Sequence, residues 1–394
     1  MATTKRKYLY EVDLMRCIFI FGVLANHTTS TFTAAAASNS WAYNFLVSTH
    51  LILHFTRMGF MFVTGLVLFL VYYYKPEINY WVFWKKRYKG SGIPYVFWMG
   101  FFLIMTAVFT GSTITFSSWL SELGLGLLHG NYFYLYYILV TMQLYLIFPI
   151  MVWIYRKTEG HHGLLLVISG ILQLVFLYFV KYQLPHLDTS NWPYWIRNYG
   201  INVFAYQFYF MAGAYVAIHY QAFTNWLQTH RKKIYAITAL LALGTLVLYQ
   251  YNVQVLHLNR HYANLIHQPY LMFYASFMIL TIIALSQQYA RRRQLPKWQP
   301  FTKAVDLSSK LSFGVYLTQT ASLSLLAGLL ELIKNNVSSW ELIILLPFGY
   351  LIALGGAWLI SFFCYKVPPF GVLVGRPQKI NFRKKVRNYD QVNS

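Results

Sequence analysis

DLMRCIFIFGVLANHTTST, residues 13–31, carries the strongest fold signal in the chain. It is apolar for most of its length, yet it carries Arg16 and His27. Eleven residues separate the two, close to three helical turns. Both side chains therefore project from one helix face, roughly 16 Å apart along the axis. A run this long and apolar is a membrane-span candidate. A cation and an imidazole on one side of such a span are expensive to insert and mark a functional site.

The rest of the chain repeats the pattern. Of its 394 residues, 57% are hydrophobic and only 11% charged, a composition that belongs to a polytopic membrane protein. Ten spans are expected, near 14–33, 44–74, 93–113, 132–155, 163–181, 199–220, 234–252, 268–287, 311–333 and 341–366. The fold class that follows is all-α. The domain reading is one membrane domain over residues 1–370 and a basic tail over 371–394. The basic N-terminus (Lys5, Arg6, Lys7) leads into the first span without a trusted cleavage site.

Charge gives an independent check on the span count. The N-terminus and every even-numbered loop are basic: Lys85 to Lys89, Arg156 and Lys157, Arg231 to Lys233, and Arg291 to Lys297. The tail with Arg376, Lys379 and Arg383 to Arg387 continues the alternation. The positive-inside rule then puts both termini in the cytoplasm, with membrane lipids as the surroundings. The net charge of +22 is thus largely topological, and nucleic acid is not expected as a partner. Cys17 and Cys364 are the only cysteines, so no disulfide framework is expected. No Cys/His metal spacing and no Gly-rich nucleotide loop occur, so neither a metal nor a resident cofactor is expected.

The second span carries its own polar set. His50, His54 and Arg57 are spaced i, i+4, i+7, on one helical face. Packed against the first span, they would line a polar chamber with His27 and Arg16. The plainer reading of His50 or His54 is a histidine bonded to a backbone carbonyl. Arg57 resists that reading, because an arginine near mid-membrane costs at least ~2.5–3.5 kcal/mol unless it meets water or an anion. Arg16 alone would also fit a snorkelling interfacial residue.

The spacing of Arg16 and His27 resembles the acyltransferase-3 family of integral membrane acyltransferases. FMFVTG (Phe60 to Gly65) and WKKRYKGSGIPYVFW (Trp84 to Trp98) are similar to its second-span and third-span segments. NYFYLYYILVTMQLYLIFP (Asn131 to Pro149), FYFMAGAYVA (Phe208 to Ala217) and LSFGVYLTQ (Leu311 to Gln319) resemble later ones. The order covers nearly the whole chain. It is closest in pattern to the branch of the intercellular-adhesin C proteins, which acts on an exopolysaccharide. Two departures stand out: Gly90 where the family often carries a further Arg, and Gln319 where it often carries His.

The resemblance implies a cytosolic acyl-CoA donor, acetyl-CoA above all, and a hydroxyl acceptor on a polysaccharide or lipid-linked glycan. It implies His27 as the base that takes the hydroxyl proton. Arg16 would bind a CoA phosphate or the thioester oxyanion. Lys85, Lys86, Arg87 and Lys89 would meet the phosphorylated nucleotide end, against the plain alternative of a positive-inside loop. Arg57, His50 and His54 would complete the substrate-binding set. The expected setting is the cell membrane. A glycan exporter without acyl-transfer chemistry is the alternative, because intramembrane His and Arg fit either. Trp192, Tyr194, Trp195 and Arg197, and His257 to His267, are either an acceptor surface or interfacial anchors.

Overall fold

The structure, a computed structural model, describes residues 8–38, 40–130 and 132–378. Lys5 to Lys7 and the tail from Lys379 onward, both read above as basic, lie outside these residues. The chain is helical, and no strand occurs among the described residues. It begins with α1 (Glu11–Ala35), α2 (Trp41–Ile52), α3 (Phe55–Tyr72) and α4 (Tyr80–Thr110). There follow α5 (Phe116–His129), α6 (Tyr136–Lys157), α7 (His162–Tyr178) and the one-turn α8 (Tyr194–Arg197). The second half holds α9 (Gln207–Ile218), α10 (Tyr220–Gln254), the one-turn α11 (Arg260–Ala263), α12 (Pro269–Arg292), α13 (Gln299–Ile333) and α14 (Ser339–Lys366).

Among the described residues, 8 segments are long and apolar enough to cross a membrane. The protein is therefore an all-α, multi-pass membrane protein. The two remaining expected spans coincide with α1 and α9. The 25 residues of α1 would reach about 37 Å, enough to span. With 12 residues, α9 is short, and the first half of the expected 199–220 span is two 3₁₀ turns instead. Gln143 explains the break. Its Nε2 donates to Ile201 O at 2.8 Å and its Oε1 accepts from Val203 N at 3.0 Å, so a side-chain amide replaces the helical ladder.

The first helix is the hub. It packs against α2, α3, α12, α13 and α14, so its polar residues face protein rather than lipid. Asn26, His27, Thr28 and Thr29 are all buried. The tightest pairing is α3 with α9, and it depends on glycine. A Cβ on Gly65 would collide with Phe210 O, and one on Gly213 with Phe62 O. Small residues let two membrane helices approach backbone to backbone.

Two expectations about local structure change. Lys85 to Lys89 are not a loop but the first turns of α4, and Arg231 to Lys233 lie inside α10. Asn79 Oδ1 accepts from Val82 N at 3.0 Å and starts α4 before the basic residues. The second expected span is also interrupted, at Leu53 and His54. Two donors from elsewhere reach carbonyls at the break: Asn26 Nδ2 to His50 O at 3.2 Å and Tyr274 Oη to Ile52 O at 3.0 Å.

Candidate functional site: a cationic cavity beneath His27

The helical repeat places Arg16, Val23 and His27 along one stripe of α1, at i, i+7 and i+11. Arg16 and Val23 line a cavity of about 510 Å³. Arg57 and Thr64 enter it from α3, and Lys86, Arg87 and Ser91 from α4. Tyr136, Tyr137, Thr141 and Tyr145 come from α6, and Ser309, Ser312 and Tyr316 from α13. The last side is Val374, Gly375 and Arg376, after α14. The lining thus gathers Arg16, Arg57, Lys86, Arg87 and Arg376 with no Asp or Glu. Such a concentration of one sign, with hydroxyls between the cations, is the chemistry that a multiply charged anion requires.

The nearby carboxylates bond hydroxyls rather than these cations. Asp13 accepts from Tyr8 Oη at 2.9 Å and from Ser309 Oγ at 2.7 Å. Glu11 accepts from the Tyr220 hydroxyl. Among the described residues neither pairs with Arg16. Aromatic rings hold two of the cations instead. The Arg57 guanidinium lies 4.4 Å from the Tyr136 ring centroid, and that of Arg87 lies 5.6 Å from Tyr145 and 5.7 Å from Phe83. Lys85 and Lys89 are exposed and stay out of the lining.

His27 is buried and lies outside that lining, one helical turn beyond Val23 on the same face. Its ring packs on Tyr134, centroid to centroid 4.1 Å. Tyr134 is itself held in an unusual way. Phe133 and Tyr134 have φ of 56° and 60°, the left-handed region that costs a non-glycine residue about 1 kcal/mol or more. Helix α13 sustains the turn: Tyr316 Oη donates to Tyr134 O, and Thr320 Oγ1 donates to Phe133 O at 2.7 Å. Tyr316 also lines the cavity, so it touches both the anion receptor and the support of His27.

His50 and His54 reach α1 rather than the cavity. His50 Nδ1 lies 3.2 Å from Asn26 O, and His54 Nδ1 lies 3.4 Å from Asn26 Nδ2. The plain histidine–carbonyl reading therefore describes His50. His54 Nε2 is buried without a partner. His267, read above with the outer loops, is buried, and neither of its ring nitrogens has a partner. Arg57 lies within electrostatic range of His27, His50, His54 and His267, which makes them one cluster. Buried polar atoms without partners are uncommon and point to a place that water or a ligand completes. Gln319, buried in α13, leaves both amide atoms unpartnered as well.

Sequence reasoning missed Arg376, Tyr316, Thr320 and His267 as members of the site. Tyr316 stands inside the LSFGVYLTQ segment already singled out, so a signal existed there. Arg376 looked like one more basic tail residue.

The fold and this lining define a multi-pass membrane protein built around a buried histidine and a cationic cavity. Residues 9–362 match the acyltransferase-3 family, described as an acyltransferase domain, and the chain belongs to it. The protein is accordingly a membrane acyltransferase of the kind that moves groups other than amino-acyl groups. It is similar to a "Probable poly-beta-1,6-N-acetyl-D-glucosamine export protein" of Staphylococcus aureus strain N315. The identity is 27% over 297 residues, covering 75% of this chain and 76% of the relative. The similarly named protein of strain MRSA252 is 26% identical over the same length. No solved structure matches the chain.

Proposed function

We propose that the protein transfers an acyl group, acetyl by preference, from acyl-CoA to a hydroxyl of a cell-surface or exported polysaccharide at the cell membrane. The observation that carries this reading is the alignment on α1. A cavity of five cations and no carboxylate ends one turn below a buried histidine. The basic helix ends around the cavity support, by the positive-inside rule, a cytoplasmic opening, where acyl-CoA is found.

In this reading the phosphates of CoA rest among Lys86, Arg87 and Arg16. The pantetheine arm rises past Arg16 and Arg57 and presents the thioester near His27. That arrangement accommodates the roughly 16 Å along α1 between Arg16 and His27. His27 takes the proton of the acceptor hydroxyl as the oxygen attacks the thioester carbonyl. The new C–O ester bond forms, the C–S bond breaks, and the CoA thiolate leaves with the proton that His27 returns. Arg57 is placed to stabilise the oxyanion between these events. Lys85 and Lys89 contribute only to the field outside the cavity.

The name carried by these relatives favours a second reading, export of a polysaccharide. Both readings use a polysaccharide, but only the first consumes a thioester. The test is purified protein in nanodiscs with [acetyl-¹⁴C]acetyl-CoA and a β-1,6-linked N-acetylglucosamine oligosaccharide, the label being followed into the glycan. Label in an ester that mild base removes supports acyl transfer. Glycan that binds or moves while remaining unlabelled, with no thiol released, replaces the enzyme by the exporter.

A further inference from the structure

The residues after α14 fold back as a strap. A 3₁₀ turn covers Phe370–Val374. Trp98 Nε1, on α4, donates to Leu373 O at 2.8 Å. Gln378 Nε2 donates to Tyr365 O at 2.7 Å and to Cys364 O at 3.3 Å, and its Oε1 accepts from Gly371 N at 3.0 Å. These bonds fasten the strap to α4 and α14. Glycine is needed where the strap meets α4. Gly375 has φ of +67°, and a Cβ there would meet Gly90 O at 3.2 Å.

The strap presents Arg376 to the cavity. Its backbone N donates to Gly371 O at 2.7 Å, and its Nε donates to Lys310 O at 3.3 Å. The guanidinium has further donors, and among the described residues no carboxylate pairs with it. Arg376 and Lys86 are both exposed and both line the cavity, so they stand at its mouth. Beside this contact the α4 surface is open. A Cβ on Gly90, another lining residue, would meet nothing within 4 Å. A planar cation beside an open space, opposite no acid, is a phosphate receptor.

We propose that the strap is a wall of the donor site and that Arg376 recognises a phosphate of acyl-CoA rather than its acyl or pantetheine part. This rests on the acyl-CoA reading above. It makes the segment after the last span part of the active centre, not a topological tail. An anionic lipid headgroup carries the same phosphate chemistry, so the test separates the two sources.

The experiment is calorimetric binding of CoA and of pantetheine to wild type, Arg376→Ala and Arg376→Lys. Each protein is measured in phosphatidylcholine nanodiscs and again in phosphatidylglycerol nanodiscs. Arg376→Ala should weaken CoA binding roughly tenfold, the loss expected for one charge-assisted hydrogen bond, in both lipids. It should leave pantetheine binding unchanged, and Arg376→Lys should recover most of the affinity. Equal CoA affinity in wild type and Arg376→Ala overturns the assignment of the strap alone. So does an equal loss for CoA and pantetheine, or a loss seen only in phosphatidylglycerol, which would give Arg376 to a lipid headgroup. Wild type that binds no CoA in either lipid overturns the donor reading, and this assignment with it.

Discussion

The two ends of the α1 stripe are built on opposite principles. Around Arg16 the protein gathers fixed cations, leaves them without carboxylates and opens the space between them. Around His27 it gathers imidazoles and phenols, buries His27, His54 and Tyr316, and fastens the Phe133–Tyr134 turn with bonds from α13. Arg57 is where the two meet. It lines the cavity and lies within electrostatic range of the histidines. In the proposed function the contrast separates holding an anion from moving a proton. Permanent charge attracts a polyphosphate over a distance. Proton transfer needs a group that can exist in two states and is held at one place.

That division makes kinetic predictions of decreasing size. His27→Ala should lower kcat for thiol release by about 10²–10⁴-fold and leave CoA affinity near wild type. A fall in affinity of the same size would merge the two regions into one. Arg16→Ala and Arg57→Ala should raise KM for acetyl-CoA by roughly tenfold or more, with Arg57→Ala also lowering kcat. Steady-state kinetics over a range of donor concentrations separates the two effects.

Tyr316→Phe should lower kcat by about threefold to tenfold without changing CoA affinity, because the Phe133–Tyr134 turn loses a bond that holds it. Thermal unfolding should show a loss on the order of 1 kcal/mol. A changed KM with an unchanged kcat would instead place Tyr316 with the anion receptor. The smallest contrast compares adjacent lysines. Lys86→Ala should raise KM for acetyl-CoA about threefold, and Lys85→Ala by less than about twofold, because only Lys86 lines the cavity.

The helical, membrane-spanning character was readable from the apolar windows, because it depends on local composition. Arg16, His27 and Arg57 were readable for the same reason: each is a polar group where polar groups are costly. What could not be read depends on contacts between distant segments. The break at Leu53 and His54 sits beside the Tyr274 hydroxyl, 222 residues from its acceptor Ile52. The turn at Phe133 and Tyr134 is held from α13, with Tyr316 bonded 182 residues back along the chain. Lys86 and Arg87 differ from Lys85 and Lys89 only by the face of a helical extension that looked like a loop. Arg376 entered the cavity because Gly375 and Gln378 turn the chain back, which charge counting does not reveal.

In the proposed function one stripe of α1 joins a donor receptor to a proton-transfer site. The most direct measurement follows CoA binding and acetyl-CoA thiol release on the same nanodisc preparations of wild type, His27→Ala and Arg57→Ala. His27→Ala is expected to bind CoA as wild type does but to release almost no thiol, while Arg57→Ala loses affinity. A His27→Ala protein that releases thiol at the wild-type rate would contradict it.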